Sequence, residues 1–281
     1  MIRSMLRRAG RYPGSFAIRL LCAAAALIVA AALLLVIGYI LVTGIPHLKP
    51  SLFALEYNSE NVSLLPALFN TVIMTLLSLA LAVPLGVGGA IYLAEYANRA
   101  SGIVKAVRLT AETLAGIPSI LYGLFGMMFF VTSLRWSYSL LAGGMTLAVM
   151  ILPLILRTTE EALLSIPDSY REGSFGLGAG RLRTVTHSVL PPAMSGILAG
   201  VILSIGRVVG ETAALIETAG TVADWPENVM SSGRTLAVHM YVLSGEGLHV
   251  SEASATAVVL MVIVVGMNAL SAFAARRLTG R

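Results

Sequence analysis

"SIPDSYREGSFGLGAGRLRTVTHSVLPP", residues 165–192, is a charged, glycine-rich stretch set between two strongly apolar runs. Ser165 can cap a helix in which the early Pro167 lacks only an N–H that would go unsatisfied there, and Asp168 adds negative charge near that terminus. Gly176, Gly178 and Gly180 then break the helix. A second short helix over 181–189 would put Leu182, Val185 and Val189 on one side before Pro191 and Pro192 open the next apolar run. Two short helices around a glycine turn form either a folded connection between membrane spans or an ordinary interfacial loop. Residue physics alone leaves both open.

Working outward, the whole 281-residue chain is 57% hydrophobic and 12% charged, with a mean hydropathy of +0.86. That is too apolar for a soluble domain, whose surface polar residues must cover. A bilayer core about 30 Å thick needs roughly 20 mostly apolar residues per helix. Six stretches qualify, near 20–43, 65–95, 109–133, 138–156, 192–216 and 253–275. The first follows Arg3, Arg7, Arg8, Arg11 and Arg19 but is too long for a signal peptide, so it reads as a retained anchor. The expected fold class is an all-α polytopic membrane protein of six transmembrane helices with a cytoplasmic loop. Its parts are a tail (1–19), the first helix with an external loop (20–64), a bundle (65–275) that contains the 157–191 loop, and a second tail (276–281).

With six spans, one side of the membrane receives the N-terminus, the 96–108 loop, the 157–191 segment and the C-terminus. Of the 19 Lys and Arg residues, all but Lys49, Arg135, Arg234 and the intramembrane Arg207 fall there. The positive-inside rule places that side, and both termini, in the cytoplasm. The same topology accounts for a pI of about 9.6 without nucleic acid, because the basic residues are spread over four segments with no recognisable nucleic-acid module.

Catalytic signals are sparse. Cys22 is the only cysteine, and His47, His187, His239 and His249 show no metal-ligand spacing, so no metal site is expected. A Walker A loop needs Gly-Lys-Ser/Thr, and the only lysines, Lys49 and Lys105, follow Leu48 and Val104. The chain is therefore not expected to be an enzyme, and any ATP-coupled work must enter through another subunit. Glu160 and Glu161 sit beside Arg157 at a span's edge, where interfacial salt bridges explain both better than acid catalysis does.

"GRVVGETAAL", residues 206–215, puts two charges into the fifth apolar run. At 100° per residue, Gly196, Gly200, Ser204, Glu211, Ala214 and Thr218 fall within about 60° of Arg207, with Leu203 the main apolar exception in that sector. Small residues at Gly196 and Gly200 allow another helix to approach closely. The charges need a different reason, since each costs about 2.5 to 3.5 kcal/mol at a membrane centre, while an exposed helical pair returns only about 0.2 to 0.5 kcal/mol. Either they form a buried ion pair that fixes packing, or they line a passage in which the planar arginine fork meets an oxyanion.

In "GIPSILYGLFG", residues 116–126, Pro118 interrupts helical hydrogen bonding while Gly116, Ser119, Gly123 and Gly126 share a face. A hinge beside a passage and a static kink fit equally. Asn70, Thr71, Thr75 and Ser78 favour interhelical hydrogen bonding over pathway polarity. The external 217–252 segment is moderately apolar around 236–243 and is expected to fold back against the membrane.

Glu172-Gly173-Ser174, then Gly178, then Leu190-Pro191 resemble in register the EAA loop of ABC importer permeases. Gly173 and Ser174 replace that motif's alanines, and Ser188 its isoleucine. Together with residues 116–126 and 157–178, the run Arg207, Gly210, Glu211 and Thr212 resembles the PstA-type phosphate permeases of that family, and the resemblance spans most of residues 65–275. It implies a type I transmembrane domain in a bacterial inner membrane, with Arg207, Glu211, Ser204 and Thr212 in the translocation pathway. It also implies that Glu172, Gly173, Ser174, Gly178, Leu190 and Pro191 belong to a coupling helix docked on an ATP-binding subunit. ATP and Mg would be held by that partner and no cofactor by this chain. The implied assembly adds a second homologous permease, two copies of the ATP-binding subunit and an external phosphate-binding protein. A permease for molybdate or sulfate is the nearest alternative. An ion-gradient transporter would call for inverted repeats, and none is clear.

Overall fold

A computed structural model describes residues 13–98 and 100–278; the charges read at Arg3, Arg7, Arg8, Arg11, Arg99 and Arg281 lie outside the described residues. Among the described residues every regular element is helical. Five helices are long and apolar enough to cross a membrane, and a sixth span is reached if one sharply bent pair counts as a single crossing.

The first helix, α1 (Pro13–Gly44), lies largely exposed along the side of the chain. It meets the last helix, α11 (Val250–Leu278), where Gly44 passes so close to the Ser254 carbonyl and the Val258 side chain that a Cβ would overlap them. Two single turns, Ile45–His47 and Pro50–Phe53, lead to α2 (Leu65–Ile91), which ends in a π-helical turn at Tyr92–Tyr96.

The span expected at 109–133, with a hinge or kink at Pro118, is built as two separate helices. α3 (Gly102–Ala115) and α4 (Ser119–Gly126, extended by a π-helical run to Ser133) meet at 103°. Pro118 is the cause. It disfavours helical backbone at Ile117 and is itself extended, with φ −58° and ψ 139°, so it precedes α4 instead of kinking a continuous helix. α3 is amphipathic: Val104 and Ala111 face the protein, Ile103 and Leu109 face outward, and Arg108 pairs with Glu160 at 2.6 Å.

The central element is α5 (Leu140–Leu164), capped by Ser139, whose hydroxyl accepts from the Ala142 N–H at 3.2 Å. Leu147, Met150, Ile151 and Ile155 of α5 meet Met74 and Ala82 of α2 in the main core. Close approach is set by glycine. A Cβ at Gly86 would lie 2.8 Å from the Ile155 side chain, and one at Gly144 3.1 Å from that of Leu77. The core also contains the Thr71 hydroxyl, which donates to the Ala67 carbonyl and accepts from the Leu236 N–H. Asn70, Thr71, Thr75 and Ser78 are all buried, but only Asn70 and Thr71 bond beyond α2, whereas Thr75 and Ser78 donate to carbonyls of their own helix.

After α5 the chain forms α6 (Asp168–Gly176), then α7 (Arg181–Thr184), a π-helical turn (Val185–Val189) and α8 (Leu190–Val209). Ser165 turns out to close α5 rather than cap α6, which starts after the extended Pro167. Nor does the second short helix stop before Pro191 and Pro192; residues 181–209 run as one helix. The prolines remove two donors and crowd the carbonyls one turn back, and the wider π turn just ahead of them lets the helix continue.

Beyond α8 a short α9 (Ala213–Ile216) leads to α10 (Leu236–Glu246), capped by Thr235 and closed by Gly247 at φ +72°. α10 packs on α11 and buries Leu236 and Leu243 against Ala253 and Ala255, so this part of the apolar 236–243 patch faces protein.

Candidate functional site

Two regions at opposite ends of the long 181–209 helix carry the charged and glycine-rich motifs. The first is the end of α8. The helix does not run to residue 216: it ends at Val209, with Gly210 as its cap, and α9 starts three residues later. The shared face expected for Arg207, Glu211, Ala214 and Thr218 is therefore broken between Arg207 and Glu211. Glycine at 210, followed by Glu211 and Thr212 with polar atoms able to bond locally, ends the helical ladder.

The two charges are also not paired. Glu211 is buried and its Oε1 accepts the Ala214 N–H at 3.2 Å, which satisfies a free donor at the start of α9. Arg207 is half-buried, and among the described residues no carboxylate lies within 4.0 Å of its nitrogens. The ion-pair reading thus has no geometric support. Arg207 occupies the last turn of α8, where the helix dipole favours a cation and offsets part of the cost of a buried charge. From Leu190, it lies roughly 25 Å along the helix at 1.5 Å per residue.

The small residues expected beside this charge do two jobs. Ser204 is fully buried and donates to the Gly200 carbonyl at 2.9 Å, so its hydroxyl is committed within α8. A Cβ at Gly196 would sit 2.6 Å from the Ala162 Cβ, and one at Gly200 would collide with the Thr158 side chain, so both glycines bring α8 onto α5. Gly123 of α4 does the same for α9: a Cβ there would fall 2.7 Å from the Ala214 Cα. Gly116 stands apart, since a Cβ there would meet only the Thr113 carbonyl at 3.5 Å. Tyr122 of α4 donates to the Leu114 carbonyl at 2.7 Å across the Gly116–Pro118 bend, holding α3 and α4 at their angle. Thr212 is half-buried beside the break.

The second region is the loop between α5 and α8. No residue of α6 is buried, and Tyr170, Phe175, Leu177 and Leu182 project outward, Leu177 with 91% of its surface exposed. Gly178, at φ +80°, turns the chain after α6, a conformation that costs any other residue energy. Ser174 bonds the Thr184 hydroxyl at 2.9 Å and ties α6 to α7. Between them lies a cleft of about 610 Å³ lined by Ser169, Gly173, Ser174, Gly178, Arg183 and His187. Glu172 is exposed at the surface of α6. A Cβ at Gly173 meets nothing within 4 Å, so glycine in place of the motif's alanine is not demanded by packing. Leu190 is half-buried and Pro191 exposed where the helix passes into α8.

One residue the motif reading passed over fixes this loop in place. Arg171 is folded inward and grips Glu95 at 2.6 Å, at the π-helical end of α2. It also donates to the Leu163 and Ile166 carbonyls at the end of α5, at 3.0 and 2.8 Å. One guanidinium thereby joins α6 to the ends of two spanning helices. No spacing rule connects positions 95 and 171, so only the fold reveals the pair. Glu160 likewise binds Arg108 and not Arg157, which instead pairs with Glu161 at 2.9 Å and Glu112 at 3.5 Å.

Residues 82–281 match the family described as binding-protein-dependent transport system inner membrane component. A probable ABC transporter permease protein of Bacillus subtilis, YqgI, is 33% identical over 75% of this chain and 76% of its own length. The phosphate transport system permease protein PstA of Pasteurella multocida is 38% identical over 64% of each chain, and PstA 1 of Mycobacterium tuberculosis is 38% identical over 55% of this chain. The match covers 50% of the mycobacterial protein's own length. Among solved structures, a bacterial ABC transporter that imports the acidic polysaccharide alginate aligns over 98% of this chain and 99% of its own, with a TM-score of 0.69 at 15% identity. The inward-facing MetNI methionine ABC transporter aligns over 76% of this chain and 93% of its own, with a TM-score of 0.61 at 21% identity. These likenesses establish the fold, and the matched residues the lineage: the chain belongs to the binding-protein-dependent inner membrane component family of ABC importer permeases.

Proposed function

We propose that this chain is one of two permease subunits of an ATP-driven importer of inorganic phosphate. The observation that carries the reading is Arg207. It is a permanently charged, half-buried fork at the end of a spanning helix, with no carboxylate within 4.0 Å among the described residues. A cation so placed suits an anion that arrives, is held weakly and leaves. The PstA relatives support phosphate as that anion. In this reading Arg207 and Thr212 face the passage, while Ser204 and Glu211 shape the helix break beside it.

The exposed apolar side chains and cleft of the 165–192 loop form the docking surface for an ATP-binding subunit, two copies of which supply ATP and Mg. Glu172, Gly173, Ser174 and Gly178 make that surface, and Leu190 and Pro191 pass its movement into α8. A second homologous permease completes the passage, and an external phosphate-binding protein delivers cargo at the opposite end. The complex sits in a bacterial inner membrane with both termini in the cytoplasm, as the distribution of basic residues supports.

The test is phosphate uptake into proteoliposomes holding both permeases, with and without the ATP-binding subunit and ATP. Uptake should require both and should resist competing sulfate and molybdate. Equal uptake without the ATP-binding subunit would refute ATP coupling, and competition by sulfate at equal concentration would move the cargo to another oxyanion.

A further inference from the structure

A second arginine is enclosed more deeply than Arg207. Arg234 stands just ahead of α10, at the end of the bundle opposite the coupling loop, with 4% of its surface exposed. Its Nε and Nη2 are buried without a hydrogen-bond partner, and no carboxylate lies within 4.0 Å among the described residues. Those two donors share one edge of the guanidinium, the edge that grips a carboxylate or phosphate through two parallel bonds.

The fork is held firmly. Its Cζ lies 5.1 Å over the Tyr57 ring, its backbone N–H donates to the Val222 carbonyl at 2.9 Å, and its own carbonyl accepts from Asn70 Nδ2 at 3.2 Å. Gly233 permits that last contact, since a Cβ there would lie 2.6 Å from the Asn70 nitrogen. With Nε and Nη2 unpaired, the ring face leaves this buried charge poorly compensated, because stacking replaces little of the hydration that burial removes.

Further unused polar atoms belong to the same cluster. His239, in the first turn of α10, is wholly buried, its ring stands edge-on to Tyr57 at 6.4 Å, and beyond the nearby Val62 backbone neither ring nitrogen has a hydrogen-bond partner among the described residues. Asn70 Oδ1 also has no donor. Burial and the nearby Arg234 charge push His239 down to about 3, so at neutral pH its imidazole offers one donor and one lone pair. The cluster thus combines a cationic double donor with acceptors that need a proton. A phosphate ion at neutral pH carries both acceptor oxygens and a P–O–H donor, whereas sulfate carries no proton.

We infer that Arg234, Tyr57, His239 and Asn70 form an occluded binding site for a protonated oxyanion, separate from Arg207 and near the outer ends of α2 and α10. The site stands on these residues alone, and its assignment to the cargo rests on the phosphate reading above. Because the guanidinium edge is sealed in this conformation, the anion reaches it when the 217–235 segment and the residues around Tyr57 part.

The test uses the complete permease and ATP-binding complex in nanodiscs, without the external binding protein. Thermal unfolding and equilibrium binding of radiolabelled inorganic phosphate are read, with sulfate and chloride in parallel. Phosphate should stabilise the wild type and raise its unfolding midpoint. R234K, which keeps the charge and loses the double-donor edge, and R234Q should bind it about tenfold more weakly or worse. A phosphate effect equal in wild type and R234K, or none in the wild type, overturns the site. Stabilisation by sulfate but not phosphate, lost in R234K, would keep an anion site there while refuting its protonated ligand and the phosphate reading. If R234Q does not assemble, R234K decides.

Discussion

At the scale of single residues, the fold handles charge and small size in separate places. Arg207 lies in the last turn of α8, where the dipole favours it, while Glu211 is spent on the Ala214 N–H. Arg207→Gln should abolish phosphate uptake and leave assembly intact, because among the described residues no carboxylate lies within 4.0 Å of it. Arg207→Lys should retain part of the uptake, keeping charge while losing the fork. Uptake by reconstituted vesicles checks both. Gly200 answers to packing. Gly200→Ala drives a methyl into the Thr158 side chain and should destabilise the complex by about 1 to 3 kcal/mol, read as a lowered unfolding midpoint in detergent.

At the scale of elements, the decisive pieces are α6 and the joints around it. Arg171 ties α6 to Glu95 at the end of α2 and to two carbonyls at the end of α5, with both side chains largely enclosed. Leaving one buried charge without its partner costs about 3 to 5 kcal/mol locally. Glu95→Gln should therefore loosen α6, so that ATP is hydrolysed without matching uptake; the ratio of ATP consumed to phosphate imported measures this directly. Much of this element was legible beforehand: the glycine turn through Gly176, Gly178 and Gly180, and the small residues Gly196 and Gly200 that let another helix approach α8. The Arg171–Glu95 joint was not, since a separation of 76 positions hides it from any local pattern. The end of α8 was misread for a related reason. Periodicity carried the helix through Gly210, because apolar residues on both sides keep the same rhythm while the break depends on glycine and local polar bonds.

At the scale of the whole molecule, the chain exposes two kinds of surface. The long apolar flanks of α1 and α11 suit lipid or a second permease, whereas Tyr170, Phe175, Leu177 and Leu182 form an apolar patch on a loop that carries charged residues. Leu177, with 91% of its surface exposed, makes no demand on the permease fold, so Leu177→Glu should leave the bundle stable and weaken retention of the ATP-binding subunit on affinity purification. Composition alone disclosed the membrane class and the approximate number of crossings. Hydropathy could not disclose that residues 102–133 bend through 103°, because it registers apolar length and is blind to direction; Pro118 alone pointed to a break there.

The central claim is that a lone, half-buried guanidinium at the end of α8 meets the cargo during transport. Radiolabelled phosphate uptake by proteoliposomes of the complete complex, wild type against R207Q and with ATP hydrolysis recorded alongside, tests it most directly. The account predicts that R207Q assembles, hydrolyses ATP and imports no phosphate, with R207K between the two. Wild-type uptake by an assembled R207Q complex would contradict it.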